Sequence, residues 1–384
     1  MIEIGPYKLK GFAVLAPMAG ITDYPFRRLC KETGASAVTA EMSSDKKELR
    51  ETFKSKTRIT NPNDSEPRII QIVGTEPTRM AEAAIYHVQN GAQIIDINMG
   101  CPAKKVCNKL AGSALMKDPK KIEDILKTVI RSVDVPVTLK MRTGWDPKKR
   151  NAREIALLAE YLGVKSIAIH GRTRACRFQG DAEYDTISNV VEAVSIPVFA
   201  NGDINSAEKA KMILKNTNAS GVMIGRGAQG RPWIFNEINN LSDEDSKNNC
   251  IYNIQSHGEK AIQAQQKVIL THLDYIHDYY SSFCESCNSE VKMRRNGHKY
   301  IDLGVRISRK HICRYFIQMV EWKKYRSLFD APHTQHNTEY ALKEYIKRIE
   351  IAQKQFNRLV SYKDQKSFLI KLFGYINKTG DIAA

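Results

Sequence analysis

The chain has 384 residues, of which 42% are apolar, and it carries a formal net charge of +17. This composition excludes a chain that is disordered throughout, and the length predicts one large domain with a smaller second one. No stretch approaches the roughly 18 consecutive apolar residues of a membrane helix, and the first residues lack the pattern of a signal peptide. Eight cysteines without a small-domain disulfide pattern indicate reduced thiols and a cytoplasmic protein.

The positive charge is densest toward the end of the sequence. Residues 250–384 contain 22 Lys and Arg against 13 Asp and Glu, a balance of +9, whereas residues 1–249 contain 37 against 29, a balance of +8. This distribution favours a polyanionic partner, and nucleic acid is favoured over a membrane because no lipid anchor accompanies the charge. A lysine-rich solvated surface is the alternative.

From residue 12 to residue 240, short apolar runs alternate with segments of helical periodicity. The predicted strands are 12–16, 38–40, 69–73, 94–97, 137–139, 166–169, 198–200 and 222–224. The predicted helices include 77–90, 120–131, 152–161 and 207–215, and Asp118-Pro119 and Asn205-Ser206 are typical helix starts. The polar connection 43–67 predicts a loop with short helices. Eight β–α steps of about 30 residues predict a (β/α)8 TIM barrel, and a doubly wound parallel sheet is the alternative.

The residues that follow the strands decide between these two folds. Polar or glycine-rich residues come at or near the end of every predicted strand, among them Asn98, Lys140 and His170. In a barrel all eight strand ends meet on one face, where enzymes of this fold build their sites, whereas an open sheet would scatter them. The sequence therefore favours an α/β fold of the TIM-barrel type.

A thiol follows the fourth strand, in the turn Asn98-Met-Gly-Cys101-Pro102. Such a thiol can be a nucleophile, a proton donor or a small apolar filler, because free Cys is among the most buried residue types. The loop that leads on to Cys107 carries Lys104 and Lys105, which is an unusual setting for a core residue. Cys101 is therefore a candidate for chemistry.

Two other strand ends combine glycine with charge. Asn201-Gly202-Asp203 follows the seventh strand, and Gly225-Arg226 follows the eighth. TIM barrels commonly bind a phosphate there with backbone N–H groups, and an arginine adds a charged donor. Tight turns without a ligand are the alternative for such glycines.

Lys140 ends the fifth strand, where its ammonium group would point into the cavity. One interpretation is a structural ion pair with Glu41 or Asp96. The other is a cation beside an electron-rich heterocycle such as a reduced flavin, whose negative charge gathers around N1 and the C2 carbonyl. Gln71 and His170 could hydrogen-bond to the same ring or satisfy neighbouring backbone groups.

Several segments together resemble the tRNA-dihydrouridine synthases, most closely their B-type bacterial branch. The segments are 16–23 (APMAGITD), 25–27 (PFR), Gln71, 98–106 (NMGCPAKKV), 140–144 (KMRTG), 169–173 (IHGRT) and 201–203 (NGD). The motifs run in order over residues 6–235, and 304–311 (GVRISRKH) extends the resemblance into the C-terminal helical domain of the family. The resemblance implies an enzyme that uses FMN, with NADPH or NADH as reductant, to reduce a uridine in the D-loop of tRNA to 5,6-dihydrouridine.

The resemblance also implies roles for individual residues. In the family, hydride passes from flavin N5 to C6 of the uracil, and a cysteine of the Asn-x-Gly-Cys-Pro motif protonates C5, which would be Cys101. Asn98 and Arg172 would contact the flipped base. The residues that would bind FMN are Pro17, Met18, Ala19, Gln71, Lys140, His170, Asn201, Gly202, Asp203, Gly225 and Arg226. Position 17 of the tRNA is the expectation for the B-type branch.

Beyond residue 240 the strand pattern stops. We expect a flavin-binding barrel domain at 1–240, a polar linker at 241–258 and a basic helical tRNA-binding domain at 259–384. The predicted helices of that last domain are 261–280, 305–320, 338–362 and 365–376. Arg306, Arg309 and Lys310 are candidate tRNA contacts, with Arg314 on the same helix face as Arg306 and Lys310, and a solvated basic face is the alternative.

Residues 281–303 and 321–338 look like insertions relative to the family. Cys284-x-x-Cys287 lies in the first of them, and a single such pair favours incidental thiols over a zinc site, so no structural metal is expected. We expect a monomer. Two other functions explain part of the sequence: an FMN-dependent barrel oxidoreductase that acts on a small pyrimidine or enone, and a non-catalytic RNA-binding or chaperone protein on a degenerate barrel.

Overall fold

The computed structural model describes residues 1–50, 52–56, 61–240, 259–286, 303–327 and 335–379. These residues form two compact units. The first consists of Met1–Ala228 with the segment that begins at Pro232, and the second contains Gln229–Arg231 and the helices that follow Glu259. The predicted linker 241–258 lies outside the described residues.

The first unit is a short hairpin followed by a closed ring of parallel strands. The hairpin, which the sequence analysis did not anticipate, pairs β1 (Ile2–Ile4) with β2 (Tyr7–Leu9). The ring contains β3 (Ala13–Leu15), β4 (Thr39–Ser44), β5 (Ile69–Val73), β6 (Ile94–Met99), β7 (Val137–Arg142), β8 (Ile167–His170), β9 (Val198–Asn201) and β10 (Gly221–Ile224). β10 pairs with β3, and Leu15 bridges to Val38 beside β4. This closure confirms the predicted TIM barrel and excludes the open doubly wound sheet.

Helices connect the strands of the ring. They are α1 (Tyr24–Glu32), α2 (Lys47–Arg50), α3 (Phe53–Lys56), α4 (Pro77–Gln89), α5 (Lys104–Cys107), α6 (Pro119–Ser132), α7 (Ala152–Leu162), α8 (Asp185–Val191), α9 (Ala207–Thr217) and α10 (Ile234–Asn239). The side chains of Asp118 and Ser206 accept hydrogen bonds from the third residue beyond them, which confirms both predicted helix starts. The short helices α2 and α3 lie in the long connection, as expected.

Alternation along each strand separates an outer core from the barrel interior. In β6, Ile95 and Ile97 belong to the large core that includes the surrounding helices, whereas Ile94 belongs to an interior cluster. Ile4 and Leu9 of the hairpin join this interior cluster, so the hairpin helps to fill the barrel. Because side chains alternate with a period of two, Asp96 and Asn98 face the interior after Ile94. The interior is therefore apolar where the strands begin and polar where they end.

The second unit is built from α11 (Glu259–Ser286), α12 (Leu303–Ser327), α13 (Gln335–Arg358) and α14 (Tyr362–Thr379). Its buried residues include Val268, Ile312, Phe316, Phe356 and Leu369. The four predicted helices are confirmed, and they extend into parts of 281–303 and 321–338. The third ends at Arg358, four residues before its predicted end, and Tyr362 begins the fourth. Within the described ranges, no helix combines the length and the apolar character needed to span a bilayer.

Candidate active site

Polar side chains from adjacent strands meet at the C-terminal ends of the barrel strands. Asn98 in β6 is in register with Lys140 in β7, and His170 in β8 is in register with Asn201 in β9. Lys140 Nζ donates to Asn201 Oδ1 at 3.0 Å, which links β7 to β9 across the interior. These four residues, each predicted from a strand end, thus lie in one site.

The turn after β6 holds the backbone of Cys101 in place. Asn98 Oδ1 accepts hydrogen bonds from the N–H groups of Gly100 and Cys101 at 3.1 and 3.0 Å. The carbonyl of Cys101 accepts from the hydroxyl of Ser113 at 2.8 Å. A Cβ on Gly112, whose φ is +61°, would lie 3.0 Å from that carbonyl, so the close approach of this segment requires glycine.

The environment of Cys101 keeps its thiol protonated. Cys101 is half-buried and does not belong to the apolar core, whereas Cys107 does. Burial raises the pKa of the Cys101 thiol, against the opposing effects of the Ala103 N–H group and of the positive charges on Arg142 and Lys140. A thiol with a raised pKa is an acid at neutral pH rather than a thiolate nucleophile.

Lys140 is a half-buried cation that forms no ion pair with a carboxylate in the described part of the chain. Burial lowers the pKa of Lys140 to about 8, and the charge of Arg142 adds to this effect. The hydrogen-bond partner of Lys140 is Asn201, and Asp96 acts on its pKa only through its charge, without a salt bridge among the described residues. Glu41 instead accepts a hydrogen bond from the N–H of Gly20 at 2.6 Å. The ion-pair interpretation of Lys140 therefore finds no support in the geometry.

Arg172, which was expected to contact the base, pairs with Asp203. Its guanidinium donates to both carboxylate oxygens of Asp203 at 2.9 and 2.5 Å and is 4% exposed. Arg226 donates to the same carboxylate at 3.3 Å. Burial acts to raise the pKa of Asp203, but the hydrogen bonds from Arg172 and from the N–H of Ala182 hold it below its ordinary value. Arg172 thus already has a carboxylate partner, and its contact with a base stays a prediction.

His170 is neutral in this site. Burial lowers its pKa to about 2, with further contributions from Lys140, Arg142 and other nearby cations. Its ring lies against Gly202, since a Cβ on that glycine, whose φ is +124°, would be 2.9 Å from the imidazole. His170 can therefore accept or donate a hydrogen bond as an uncharged ring.

The loops after β3, β9 and β10 lie close to one another. Pro17-Met18-Ala19 forms a turn in which the N–H of Met18 donates to the hydroxyl of Thr22 at 3.0 Å. A Cβ on Gly225 would be 3.4 Å from Met18 Sδ, and a Cβ on Gly227 would clash with the carbonyl of Ile204. The structure thus brings together the two loops that were predicted to hold a phosphate and the loop predicted to line a ring.

Sequence reasoning did not assign a role to Arg142 or Phe178. Arg142 is almost fully buried and donates to the carbonyls of Gly100, Thr173 and Arg177, so it ties the turn after β6 to the loop after β8. Arg142 lies two residues after Lys140, on the same side of the strand, and this spacing could have indicated that it belongs to the site. Phe178 is 54% exposed, and the guanidinium groups of Arg142 and Arg226 lie 5.5 and 5.1 Å from its ring centre.

In the second unit, the three basic candidates differ in their surroundings. Arg306 is exposed, and Lys310 is half-buried. Arg309 donates to the carbonyl of Leu359 at 2.7 Å, so it helps to hold α12 against the segment that follows α13. The side chain of Cys284 and the whole of Cys287 lie outside the described residues.

Known proteins provide an independent comparison. The profile of the dihydrouridine synthase (Dus) family matches residues 14–350. The chain is 46% identical over 331 residues to tRNA-dihydrouridine synthase B of Pseudomonas syringae pv. tomato, which covers 86% of this chain and 89% of that protein. It is 45% identical over 348 residues to tRNA-dihydrouridine synthase B of Vibrio cholerae, which covers 91% of this chain and 99% of that protein. These matches confirm the resemblance seen in the motifs, and the chain belongs to the dihydrouridine synthase family of enzymes.

Proposed function

We propose that the chain reduces a uridine in the D-loop of tRNA to 5,6-dihydrouridine, with FMN as cofactor and NADPH or NADH as reductant. Family membership and the name that its relatives carry, tRNA-dihydrouridine synthase B, support the reaction. The observation that carries the proposal is Cys101, a half-buried thiol whose turn is held by Asn98 at the mouth of a barrel, near the half-buried cation Lys140.

The residues at the strand ends fit a flavin mononucleotide. Lys140 is a half-buried cation that suits the electron-rich edge of a flavin, and Gln71 and His170 would bind near the same edge. Pro17, Met18 and Ala19 would lie against the ring. The ribityl chain and the phosphate would be held by Asn201, Gly202, Asp203, Gly225 and Arg226.

A bound FMN would supply the hydride that is added to C6 of the uracil. Addition at C6 leaves negative charge over C5, C4 and O4, and the Cys101 thiol then protonates C5. The S–H bond breaks as the C5–H bond forms, and the resulting thiolate regains a proton from solvent. The positive charges of Arg142 and Lys140 favour this thiolate during the step.

The target base must leave its stack to reach the bottom of the barrel mouth. Asn98 Nδ2 points one hydrogen toward Met42 Sδ at 3.9 Å, which is a weak acceptor. A carbonyl of the uracil would be a stronger acceptor for the same hydrogen. We propose that Asn98 contacts the base in this way, with Arg172 nearby.

The helical residues 259–384 would bind the remainder of the tRNA, and residues 1–240 would be the catalytic domain. Arg306, Lys310 and Arg314 follow one another at four-residue spacing on α12, which suits contacts with backbone phosphates. Arg309 would contribute less, because its guanidinium already binds the Leu359 carbonyl. A tRNA substrate also favours a cytoplasmic location.

Nucleotide-resolved mapping of dihydrouridine tests this proposal. We would map tRNA from a strain that lacks the protein and restore the wild type, Cys101→Ala or Cys176→Ala. Cys176 is a matched control, because it is another half-buried thiol in a loop after a barrel strand. We expect one D-loop position to lose dihydrouridine in the deletion and to regain it with the wild type and Cys176→Ala only. An unchanged map, at a position that no other synthase modifies, would refute the tRNA substrate and favour a small-molecule flavin reductase.

A further inference from the structure

A chain of buried hydrogen bonds runs from the barrel interior to the turn that carries Cys101. Asp96 accepts hydrogen bonds from Thr138 Oγ1 and from Gln71 Nε2, both at 2.7 Å. Gln71 Oε1 accepts from Asn98 Nδ2 at 2.6 Å, and Asn98 Oδ1 accepts from the N–H of Cys101 at 3.0 Å. Thr138, Asp96, Gln71 and Asn98 are all buried, so water does not compete for these bonds.

The donor and acceptor of each hydrogen bond in this series are fixed by the groups at its two ends. The backbone N–H groups of Gly100 and Cys101 can only donate, so Asn98 must turn its carbonyl oxygen toward them. Asp96 Oδ2 accepts from Gln71, so Gln71 must turn its NH2 group toward the carboxylate. The NH2 group of Asn98 therefore donates to the carbonyl oxygen of Gln71. A flip of either side-chain amide would leave a buried polar group without a hydrogen-bond partner.

The protonation state of Asp96 does not change this direction. Burial raises the pKa of Asp96, while the hydrogen bonds from Gln71 and Thr138 and the charge of Lys140 oppose the rise. If Asp96 Oδ1 carried a proton, it would donate a hydrogen bond to the Thr138 hydroxyl. A hydroxyl can accept as well as donate, so this bond would simply reverse. Oδ2 would still accept from Gln71.

We propose that Asp96 is a positioning residue for the reaction, because through Gln71 and Asn98 it holds the turn that presents the Cys101 thiol. Asp96 contacts neither Cys101 nor any position assigned to the substrate, so its hold on the turn passes through these two amides, and its charge acts separately on Lys140. The inference rests on the proposed function for the identity of the reaction. The hold on the turn itself is measurable without tRNA.

Two variants of Asp96 separate this role from mere filling of the core. Asp96→Asn keeps an oxygen for Gln71 and can place its NH2 group against the Thr138 hydroxyl, so the chain keeps its direction. Asp96→Leu keeps the branched shape, although its methyl groups are larger than oxygens, and offers Gln71 no acceptor. The readout is the rate at which iodoacetamide alkylates each cysteine of the purified holoenzyme, followed by mass spectrometry. Rates from about pH 7 to 10 separate the pKa of a thiol from the access to its thiolate.

We expect Asp96→Leu to raise the limiting alkylation rate of Cys101 about fivefold, the effect of one lost hydrogen bond. Asp96→Asn should stay within about twofold of the wild type. Cys176 and Cys313, both half-buried, are internal controls whose rates should not change. Equal Cys101 rates in the wild type and Asp96→Leu would overturn the proposal, and so would an Asp96→Asn rate that matches Asp96→Leu. If Asp96→Leu does not fold, Gln71→Met replaces it, because methionine removes the hydrogen bonds of Gln71 with Asp96 and Asn98. Its Cys101 alkylation rate is compared with those of the wild type and Asp96→Asn in the same way.

Dihydrouridine formation by the same proteins connects the turn to the reaction. We expect kcat to fall about tenfold in Asp96→Leu and to be largely retained in Asp96→Asn. An altered Cys101 rate with unchanged kcat would overturn the positioning role, although the proposed function would stand. If the wild type itself forms no dihydrouridine, the proposed function fails, and the role of Asp96 in this reaction fails with it.

Discussion

The two halves of the barrel mouth use different physical means to fix their side chains. On the side of β5 to β7, the amides of Gln71 and Asn98 hold the Cys101 turn by hydrogen bonds. On the side of β8 to β10, the guanidinium groups of Arg172 and Arg226 share the carboxylate of Asp203. In the first half, burial keeps the thiol protonated against the nearby charges of Lys140 and Arg142, and in the second, two guanidinium groups share one carboxylate and leave a net positive charge for an anionic ligand.

This division has a chemical reason. A thiol that donates a proton must remain protonated at neutral pH, and at Cys101 burial outweighs the opposing charges of Arg142 and Lys140. Amides orient the turn with little effect on the charge of the sulfur. A phosphate, in contrast, is best bound by charged donors. Three substitutions would break or sharpen this comparison, taken here from the largest expected effect to the smallest.

Asp203→Asn should break the charged half of the mouth. It leaves the buried guanidinium of Arg172 without its carboxylate, and we expect a loss of about 3 kcal/mol in the free energy of unfolding, measured with urea. Alkylation of Cys101 should be unchanged, because that side of the mouth does not use Asp203. Glu123→Gln, which removes an exposed ion pair with Lys120, is the control and should change stability by less than about 0.5 kcal/mol. Wild-type stability in Asp203→Asn would contradict the importance of the pair.

Gly112→Ala should disturb the half that holds the thiol. The new Cβ would lie 3.0 Å from the Cys101 carbonyl at a φ of +61°, and we expect a stability loss of about 1–2 kcal/mol. Dihydrouridine formation should fall as well, because the turn must shift. Gly180→Ala is the matched control, with a φ of +66° and no heavy atom within 4 Å of the new Cβ. Equal rates of dihydrouridine formation in the two variants would show that the Gly112 contact does not position Cys101.

Lys140→Met should change how stability depends on pH. The pKa of Lys140 is about 8 in the folded chain, below its ordinary value of 10.5, so the unfolded chain binds more protons between these values. The wild type should therefore gain stability relative to Lys140→Met as the pH rises through about 8 to 10.5. Urea unfolding of cofactor-free protein at several pH values would measure this difference. Lys148→Met, at an exposed lysine, should show no such trend, and a constant difference for Lys140→Met would contradict the burial effect.

The positions of Asn98, Lys140 and His170 could be predicted from the sequence because each depends only on its own strand. An apolar run sets the strand, and a polar residue at its end must face the mouth if the strands close into a barrel. The pair of Arg172 with Asp203 could not be predicted, because it depends on the final angle between two loops that are 31 residues apart. From the sequence, Arg172 was expected to contact the base and Asp203 to contact FMN.

The contacts behind Cys101 escaped prediction for a related reason. Ser113 reaches the Cys101 carbonyl only because α5 turns the chain back, and the positive φ of Gly112 cannot be read from its neighbours. The hairpin of β1 and β2 was missed because two strands of three residues give too little alternation for a pattern.

The strict alternation in β6 limits how this gene can change over time. Loss of a single residue at the start of the strand would turn Ile95 and Ile97 into the barrel and send Asp96 and Asn98 into the helical layer. The exchange of one side chain for another disturbs one contact, whereas such a deletion would invert the whole strand. Natural variation in length should therefore accumulate in the loops opposite the mouth, and the strands should diverge by substitution alone.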